Sequence, residues 1–379
     1  TIMRYYKRKN PMLVREMIRN VYKECKGVPK GNCLTKEQRL SLQMDEFMNR
    51  RYEFRYNTQI GEVEYRERFS FQFYFHPIDK RAQNSIMLDA QSEGIGVWDR
   101  DIDRYLHSNR VPIYNPLEEF LFHLPHWDGK DRIHALANRV PCNNPHWELL
   151  FHRWFLNMVS HWRGVDKMHA NSTSPILVGA QGTHKSTFCR EMIPPALRAY
   201  YTDSIDFSQK RDAELYLNRF ALINIDEFDQ ITLTQQGFLK HILQKPVVNL
   251  RKPHGRSVLE LQRYASFIGT SNQKDLLTDP SGSRRFICIE VTGNIDTTQP
   301  IDYEQLYAQA MHEIYHGERY WFNSEDEQIM TENNREFEQT PAMLQLFYQY
   351  FKAAQTKEEG EFLTPVEILN YLKKKSGIS

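Results

Sequence analysis

Hydrophobic residues recur at two different spacings along the chain, and the change between them falls near residue 171. Helical spacing dominates 11–50 and 80–170, where apolar positions return every three or four residues. Between these regions, residues 52–56 and 62–66 alternate apolar and polar positions on either side of a glycine-containing turn. This alternation predicts a β-hairpin within an otherwise helical N-terminal part.

Short apolar runs alternate with longer helical patterns from residue 171 onward. Four of these runs have the length of buried strands, namely 176–178, 220–225, 264–269 and 286–291. Runs of this length that are separated by helices are typical of a buried sheet with helices on its faces. The pattern therefore predicts an α/β core that begins at about residue 171.

Helical patterns return beyond about residue 300. Near the end, Thr364 can cap a helix that has Pro365 at its first position and Glu367 three residues after the cap. This combination is a good helix start. We expect a small helical or winged-helix piece at this end of the chain.

The composition limits the class of protein. The 379 residues are 40% hydrophobic and 13% aromatic, which excludes disorder throughout. No run approaches twenty apolar residues, and the basic start TIMRYYKRKN lacks the apolar core of a signal peptide, so we expect neither a membrane span nor secretion. Five scattered cysteines fit a reducing compartment, and no cysteine cluster has zinc spacing.

Charge is distributed unevenly, although the net charge is only +1. Residues 1–40 carry about +8, so the remainder of the chain carries about −7. A basic arm of this kind suggests a polyanionic partner such as nucleic acid. The alternative is a solvated, charged helix face.

A glycine-containing segment follows the first buried run and precedes a helical pattern. Its residues are Gly179, Ala180, Gln181, Gly182, Thr183, His184, Lys185, Ser186 and Thr187. The segment has the features of a phosphate-binding P-loop, in which backbone N–H groups and the N-terminus of a helix face phosphate oxygens. Lys185 would reach the β- and γ-phosphates and Ser186 would bind Mg²⁺, although His184 stands where the usual pattern has glycine. An ordinary strand-to-helix turn is the alternative.

A second apolar run, residues 221–225, ends in Asp226 and Glu227, 41 residues after Lys185. Ligands of open α/β sheets bind at the carboxyl ends of such strands. We expect Asp226 to hold Mg²⁺ and Glu227 to polarise the attacking water. An apolar strand that ends in two acids is common and usually means only that the strand end is exposed to solvent. Here the same sequence also contains the glycine-containing loop, and the two features together favour a nucleotide site.

A third run ends in small polar residues, and Asn272 can contact the γ-phosphate or the water as a sensor does. A Gly-Ser turn begins ten residues later at Gly282, and Arg284 and Arg285 follow it. An arginine there can act as a finger that completes a neighbouring subunit's site. The alternative is a surface turn with a salt-bridged arginine.

A basic stretch lies between the second and third runs. Its flanks can pair as a hairpin around Pro253-His254-Gly255, and no acidic residue occurs from Lys245 to Ser257. Such a hairpin can grip a phosphate backbone, which would make DNA contacts of Arg251, Lys252, His254 and Arg256. An exposed hairpin that contacts nothing is the alternative.

Together these segments resemble the virulence-associated E family of P-loop ATPases. The stretches that carry the resemblance are LPHWDGKDRI, LVGAQGTHKSTFCREMIPP, ALINIDEFDQ, LRKPHGR and FIGTSNQKDLLTDPSGSRRF. The family is related to superfamily 3 helicases and to satellite-phage primase–helicases, and this chain looks most like versions from mobile elements of Bacteroides-type bacteria. The resemblance implies an AAA+-like domain, Mg²⁺-dependent ATP hydrolysis and a ring, most often hexameric.

The resemblance also implies a division of the chain and a role for each quoted position. We expect a basic N-terminal helical region with a β-hairpin (1–110), a helical collar or linker (111–170), an AAA+-like P-loop ATPase domain (171–300) and a C-terminal helical or winged-helix region (301–379). Catalytic roles fall on Lys185, Asp226, Glu227, Asn272 and Arg284 or Arg285. Lys252 and His254 fall where superfamily 3 helicases carry the DNA-gripping hairpin.

The sequence thus predicts an ATP-dependent DNA helicase or translocase of a mobile genetic element, located in the bacterial cytoplasm. Expected partners are single-stranded or forked DNA, further copies of the chain, and a primase or other replication proteins of the same element. Two alternatives stay open. One is an ATPase switch that binds DNA or protein without unwinding, and the other is a hydrolysis-dead assembly module, which His184 suggests.

Overall fold

A computed structural model describes residues 34–71, 73–164, 168–250, 259–277, 280–339, 342–354 and 360–376. The described chain forms two compact units. The first contains the residues up to Asn57 together with Gly61–Ile113, and the second contains Thr58–Ile60 and the residues from Tyr114 onward. The predicted arginine, lysine and histidine contacts at 251, 252, 254 and 256 lie outside the described residues.

The first unit is a small sheet with helices beside it. Its helices are α1 (Lys36–Arg51), α2 (Lys80–Ser92) and α3 (Asp99–Leu106), and its strands are β1 (Tyr52–Asn57), β2 (Glu62–Glu67) and β3 (His76–Pro77). The two-residue strand β4 (Ile113–Tyr114), at which the division between the units falls, completes the sheet order β3-β2-β1-β4. The predicted hairpin is confirmed, because β1 and β2 pair antiparallel from Tyr52 opposite Glu67 to Asn57 opposite Glu62. A capping box at Thr35 and Gln38 begins α1.

The second unit contains a parallel sheet and most of the helices. Its helices are α4 (Pro116–Phe122), α5 (Arg132–Ala137), α6 (Trp147–Trp162), α7 (Lys185–Glu191), α8 (Lys210–Arg219), α9 (Leu233–Leu243), α10 (Tyr303–Tyr315), α11 (Ser324–Asn334), α12 (Ala342–Tyr350) and α13 (Pro365–Ser376). Its strands are β5 (Ser174–Val178), β6 (Tyr201–Thr202), β7 (Leu222–Ile225), β8 (Val247–Leu250), β9 (Leu259–Gln262), β10 (Ser266–Ser271) and β11 (Phe286–Glu290). The predicted α/β core is thereby confirmed.

Five of these strands form the parallel sheet, in the order β11-β5-β10-β7-β6. Successive side chains of a strand point to opposite faces, so each strand serves two cores. On β5, Leu177 packs with α6, α7 and α10, whereas Ile176 and Val178 pack with α9 on the other face. Burial on both faces explains why these strands appear in the sequence as continuous apolar runs.

The edge strand β6 was not predicted from the sequence. It has only two residues, Tyr201 and Thr202, and both are half-buried. A strand this short leaves no apolar run to detect, and its pairing with Leu222 and Ile223 of β7 is a tertiary contact. Its position at the sheet edge completes the five-strand order.

The flanks of the predicted basic hairpin pair as expected. Strands β8 and β9 are antiparallel, with Val247 opposite Gln262 and Leu250 opposite Leu259. The segment that joins them falls outside the described residues, so the hairpin's DNA contact stays a prediction.

Arg263 follows β9 directly and links the base of this hairpin to neighbouring segments through hydrogen bonds. It is fully buried, and its guanidinium donates to the backbone carbonyls of Ile242, Leu243, Lys245, Ala265 and Asn171. These carbonyls belong to the end of α9 and to the residues that precede β8, β10 and β5. Burial lowers the pKa of Arg263 to about 9, which still leaves it cationic at neutral pH. One side chain therefore joins four segments.

Helices occupy the C-terminal part, as the pattern predicts. Thr364 accepts from the backbone N–H of Glu367 at 3.4 Å, and the Glu367 carboxylate accepts from the backbone N–H of Thr364 at 2.8 Å, which confirms the predicted helix start. The winged-helix alternative stays a prediction. Among the described residues, no helix combines the length and apolar character needed to cross a bilayer.

Replacing Arg263 tests the importance of this buried guanidinium. We expect Arg263→Ala to lower the free energy of unfolding by about 3 kcal/mol or more, because several buried carbonyls lose their donor. Exposed Arg335→Ala is the matched control and should stay within about 0.5 kcal/mol of wild type in urea unfolding. Equal losses in the two variants would contradict a structural role for Arg263.

Candidate functional site

The carboxyl ends of three neighbouring strands meet at one edge of the sheet. Strand β10 lies between β5 and β7, and all three run parallel. The chain leaves β5 toward β6 and β7, whereas it leaves β10 toward β11 on the other side of β5. Adjacent strands whose connections depart in opposite directions form a topological switch point, where open α/β sheets bind ligands.

The segment 179–184 forms the loop between β5 and α7 at this edge. Gly179 touches the end of β11, since a Cβ atom there would come within 2.9 Å of the Val291 carbonyl oxygen. Gly182 has a φ of +86°, and a Cβ atom there would meet nothing within 4 Å. The backbone of the loop is therefore held close to β11 at its start and exposed at its middle.

His184 adopts the left-handed conformation, with φ 65° and ψ 21°. This geometry explains why a glycine would suit the position, and histidine is among the residues that tolerate it. Glu227, at the end of β7, has φ 52°. Within the part of the chain that the structure describes, these two are the non-glycine residues with positive φ. Backbone strain of this kind concentrates at functional sites.

The Lys185 ammonium folds back under the loop. Its Nζ donates to the carbonyl oxygens of Gly179 and Ala180 at 2.8 Å and to Asn272 Oδ1 at 3.3 Å. Only 6% of the residue is exposed, and this burial lowers the pKa of Lys185, while the nearby Asp226 opposes the shift. In the described structure the cation is bonded to neutral oxygens alone, so an anion would be a stronger partner.

Ser186, Asp226 and Thr270 join the three strand ends through oxygen atoms. Ser186 Oγ donates to Asp226 Oδ1 at 3.0 Å, and Thr270 Oγ1 donates to the same carboxylate oxygen. Hydroxyl and carboxylate oxygens are the ligands that Mg²⁺ prefers, and Mg²⁺ sites usually combine one or two such groups with phosphate oxygens and water. The donor set therefore fits a Mg²⁺–phosphate complex. No group of three or more His, Cys, Asp or Glu among the described residues could hold a metal by itself.

Three residues at this edge, Thr270, Ser271 and Asp229, were not predicted from the sequence as site residues. Thr270 holds Asp226, and Ser271 Oγ donates to Asp229 Oδ1 at 2.8 Å. Asp229 lies in the short 3-10 helix Phe228–Gln230, three residues after Asp226. Two signals in the sequence could have indicated these residues: the third apolar run ends in small polar residues, and Asp229 is a further acid after Asp226 and Glu227. Their contacts, however, depend on the parallel register, which places the ends of β7 and β10 side by side.

The remaining predicted residues fall into two groups. Gln181 and Thr183 lie in the loop and Thr187 in the first turn of α7, with Gln181 exposed and Thr183 and Thr187 half-buried. Glu227 is exposed at the carboxyl end of β7. The structure thus brings the predicted loop, lysine, serine, carboxylates and asparagine to one edge of the sheet.

Arg284 and Arg285 lie at the opposite edge. They immediately precede Phe286, which pairs with Ser174 at the amino end of β5, whereas the loop follows Val178 at its carboxyl end. Four residue steps along a strand correspond to about 13 Å. Arg284 forms an ion pair with Glu327 at 3.0 Å. The two arginines are therefore not part of the site of their own chain.

A profile described as the virulence-associated protein E-like domain matches residues 121–339, more than half of the chain. The chain belongs to the virulence-associated protein E-like family. This confirms the resemblance seen in the sequence motifs, and every described site residue lies inside the matched segment. Residues 340–379 match a second profile, described as a domain of unknown function from a B. theta gene (DUF3874).

More distant comparisons concern solved structures. The apo structure of the NrS-1 C-terminal region (305–718) has 13% identity and a TM-score of 0.47, with coverage of 87% of this chain and 84% of that one. Its A form has 13% identity and a TM-score of 0.42, covering 88% and 73%. At these identities and TM-scores the likeness does not extend to function. No curated protein matches the chain.

Substitutions at His184 test whether the loop depends on its left-handed backbone. We expect His184→Val to lower the free energy of unfolding by about 1–2 kcal/mol, because a β-branched residue is strained at positive φ. His184→Gly should remain at or above the wild-type value in the same urea titration. An equal loss in both variants would mean that the imidazole, rather than the backbone conformation, stabilises the loop.

Proposed function

We propose that this chain is an ATP-dependent DNA motor of the helicase or translocase type, which binds Mg²⁺-ATP at the carboxyl edge of its parallel sheet. The observation that carries the proposal is the convergence of Lys185, Ser186, Asp226 and Asn272 at the switch point. These four side chains come from three separate segments. A solvated strand end or an ordinary turn would not require this convergence.

Each group has a distinct task in phosphoryl transfer. Lys185 exchanges its neutral carbonyl partners for phosphate oxygens, and loop N–H groups from Ala180 to His184 bind the same oxygens. Ser186 and Asp226 would hold Mg²⁺. When bound, this ion would neutralise negative charge on the phosphates. Thr270 fixes the Asp226 carboxylate through its hydroxyl group.

Glu227 and Asn272 act on the attacking water. Glu227 extends the strand that ends in Asp226, and its exposed carboxylate accepts the proton that the water releases. Asn272 lies within hydrogen-bond distance of Lys185, so its amide orients the water or contacts the terminal phosphate. The side chains that act on the transferred group thus lie toward β10 and β7.

The position of the arginines favours assembly into a ring. Arg284 lies at the amino edge of β11, remote from the loop of its own subunit, and a finger in that position reaches only a neighbour's nucleotide. Its ion pair with Glu327 is exposed on both sides, so exchange for a phosphate costs little. We propose a closed, six-membered ring, as the resemblance to superfamily 3 helicases implies.

DNA contact is assigned to the basic hairpin. Helix α9 begins shortly after Asp229 and ends just before Lys245, so one helix connects the nucleotide edge with the base of the hairpin. Arg263 bonds both to the end of α9 and to Lys245. In this proposal, a change at the nucleotide reaches Arg251, Lys252, His254 and Arg256 through that helix, and these residues pull on the DNA backbone.

ATP hydrolysis in the presence and absence of DNA is the direct test. We expect wild-type turnover to rise with single-stranded or forked DNA, and Lys185→Ala to abolish it, because the phosphates lose their cation. Lys252→Glu with Arg256→Glu should keep basal turnover but lose the DNA effect. Turnover indifferent to DNA would favour a protein-directed switch, whereas ATP binding without turnover, unaffected by Glu227→Gln, would favour an assembly module.

A mixing experiment tests whether the arginine acts on a neighbouring subunit. Lys185→Ala and Arg284→Ala should each be inactive alone, since one lacks the phosphate cation and the other lacks the finger. Mixed together, they should recover part of the turnover, because some interfaces then combine an intact Lys185 with an intact Arg284. Lys185→Ala mixed with Glu227→Gln is the control, since these two defects lie on the same side of the interface and recovery should be absent. An active Arg284→Ala protein would contradict the assignment.

A further inference from the structure

The orientation of a bound nucleotide follows from the sheet order. The groups that act on the terminal phosphates, Asp226 and Asn272, lie at the ends of β7 and β10, on one side of β5. Strand β11 borders the other side of β5. A nucleotide whose triphosphate crosses the loop must therefore extend its ribose and base toward the residues that follow β11.

The segment after β11 runs directly alongside the phosphate loop. Val291 packs against Gly179 at the start of the loop, and the Ile295 backbone N–H donates to the Thr183 carbonyl at 3.1 Å near its end. Residues on either side of Ile295 are consequently held next to the loop. This is the side on which the sheet order places the nucleoside.

An open pocket of about 320 Å³ lies in this position. One wall is formed by Ala135, Asn138 and Arg139 at the end of α5, and the other by Asn294 and Asp296. This volume lies at the lower end of the usual range for small-molecule sites, about 300–1,000 Å³. A space of this size can admit a small planar group.

The two walls are joined to each other by hydrogen bonds. The Asp296 N–H donates to the Arg139 carbonyl at 3.1 Å, and the Arg139 guanidinium donates to the carbonyls of Gln299 and Pro300 at 2.8 and 3.2 Å. The Thr292 N–H donates to the Pro141 carbonyl at 2.8 Å. The pocket is thus preformed on backbone contacts, and Arg139 is already engaged.

The LPHWDGKDRI motif explains how the first wall is held. Gln309 of α10 accepts from the backbone N–H groups of Arg132 and Ile133 at 2.6 and 3.1 Å and donates to Asp131 at 2.9 Å. Asp128 binds Arg132 through both carboxylate oxygens. These bonds fix the start of α5 on α10, so the end of the same helix is fixed at the pocket.

Two amides remain available for recognition. Asn138 and Asn294 are exposed, and no side-chain hydrogen bond within the described structure engages either of them. An asparagine amide presents a donor and an acceptor side by side, the arrangement that pairs with the N6 and N7 atoms of adenine. Asp296, in contrast, already accepts from Thr298.

We infer that this pocket takes the adenine base of the nucleotide, with Asn138 and Asn294 as the side chains that determine base specificity. The inference rests on the proposed nucleotide site and adds the part of it that no sequence motif marks. It assigns one role to α5 and to residues 292–299, which is to form a base pocket beside the phosphate loop.

Calorimetric titration with Mg²⁺-ATP and with Mg²⁺-tripolyphosphate separates the base pocket from the phosphate site. Ala135→Trp fills the pocket from an exposed helix position and should weaken ATP binding at least tenfold while leaving tripolyphosphate binding within twofold of wild type. Leu149→Trp, at an exposed position of α6 outside the pocket, is the control and should leave both unchanged. Asn138→Ala combined with Asn294→Ala should reduce the preference for ATP over CTP at least fivefold.

Each other outcome overturns part of the inference. Unchanged ATP affinity in Ala135→Trp, or an equal loss for ATP and tripolyphosphate, would exclude this pocket as the base site. An unchanged ATP-to-CTP ratio in the double asparagine variant would exclude base reading by these amides. A wild-type protein that binds neither ligand would overturn both the phosphate site and the base pocket. If the wild type binds tripolyphosphate but Ala135→Trp leaves ATP affinity unchanged, the base pocket is overturned and the phosphate site is supported.

Discussion

The parallel register of β5, β10 and β7 is the constraint on which the site depends. Because all three strands run the same way, their carboxyl ends meet, and a loop, a carboxylate and an asparagine from distant parts of the sequence become neighbours. The Asp226 carboxylate then accepts from Ser186 and Thr270, and Lys185 reaches Asn272. The same register sends Arg284 to the opposite edge, which is why we propose that it acts on the site of a neighbouring copy of the chain.

Much of this arrangement could be predicted from the sequence, because burial on both faces leaves a continuous apolar run for each central strand. The hairpin of the first unit and the cap at Thr364 were also predictable, since their signals are local. The two-residue strand β6 left no signal of its own. Thr270 and Asp229 lie in segments that had been recognised, yet their contacts depend on how neighbouring strands align, and Arg263 acts on carbonyls up to 92 residues away.

His184 shows how a departure from a familiar pattern can be compatible with the geometry behind the pattern. What the position requires is a positive φ, which glycine supplies most easily and which histidine adopts here at 65°. Glu227 has a similar backbone conformation at the end of β7. Two strained residues at one edge indicate that the surrounding packing fixes this edge before any ligand arrives, which suits the phosphate binding that we propose for it.

The most direct test of this account is an experimental structure of the chain with Mg²⁺ and a non-hydrolysable ATP analogue. The account predicts that Lys185 leaves the carbonyls of Gly179 and Ala180 for the terminal phosphates, with Mg²⁺ next to Ser186 and Asp226 and the triphosphate crossing the loop from β10 toward β11. A nucleotide bound elsewhere, or a Lys185 that keeps its carbonyl partners beside a bound nucleotide, would contradict it.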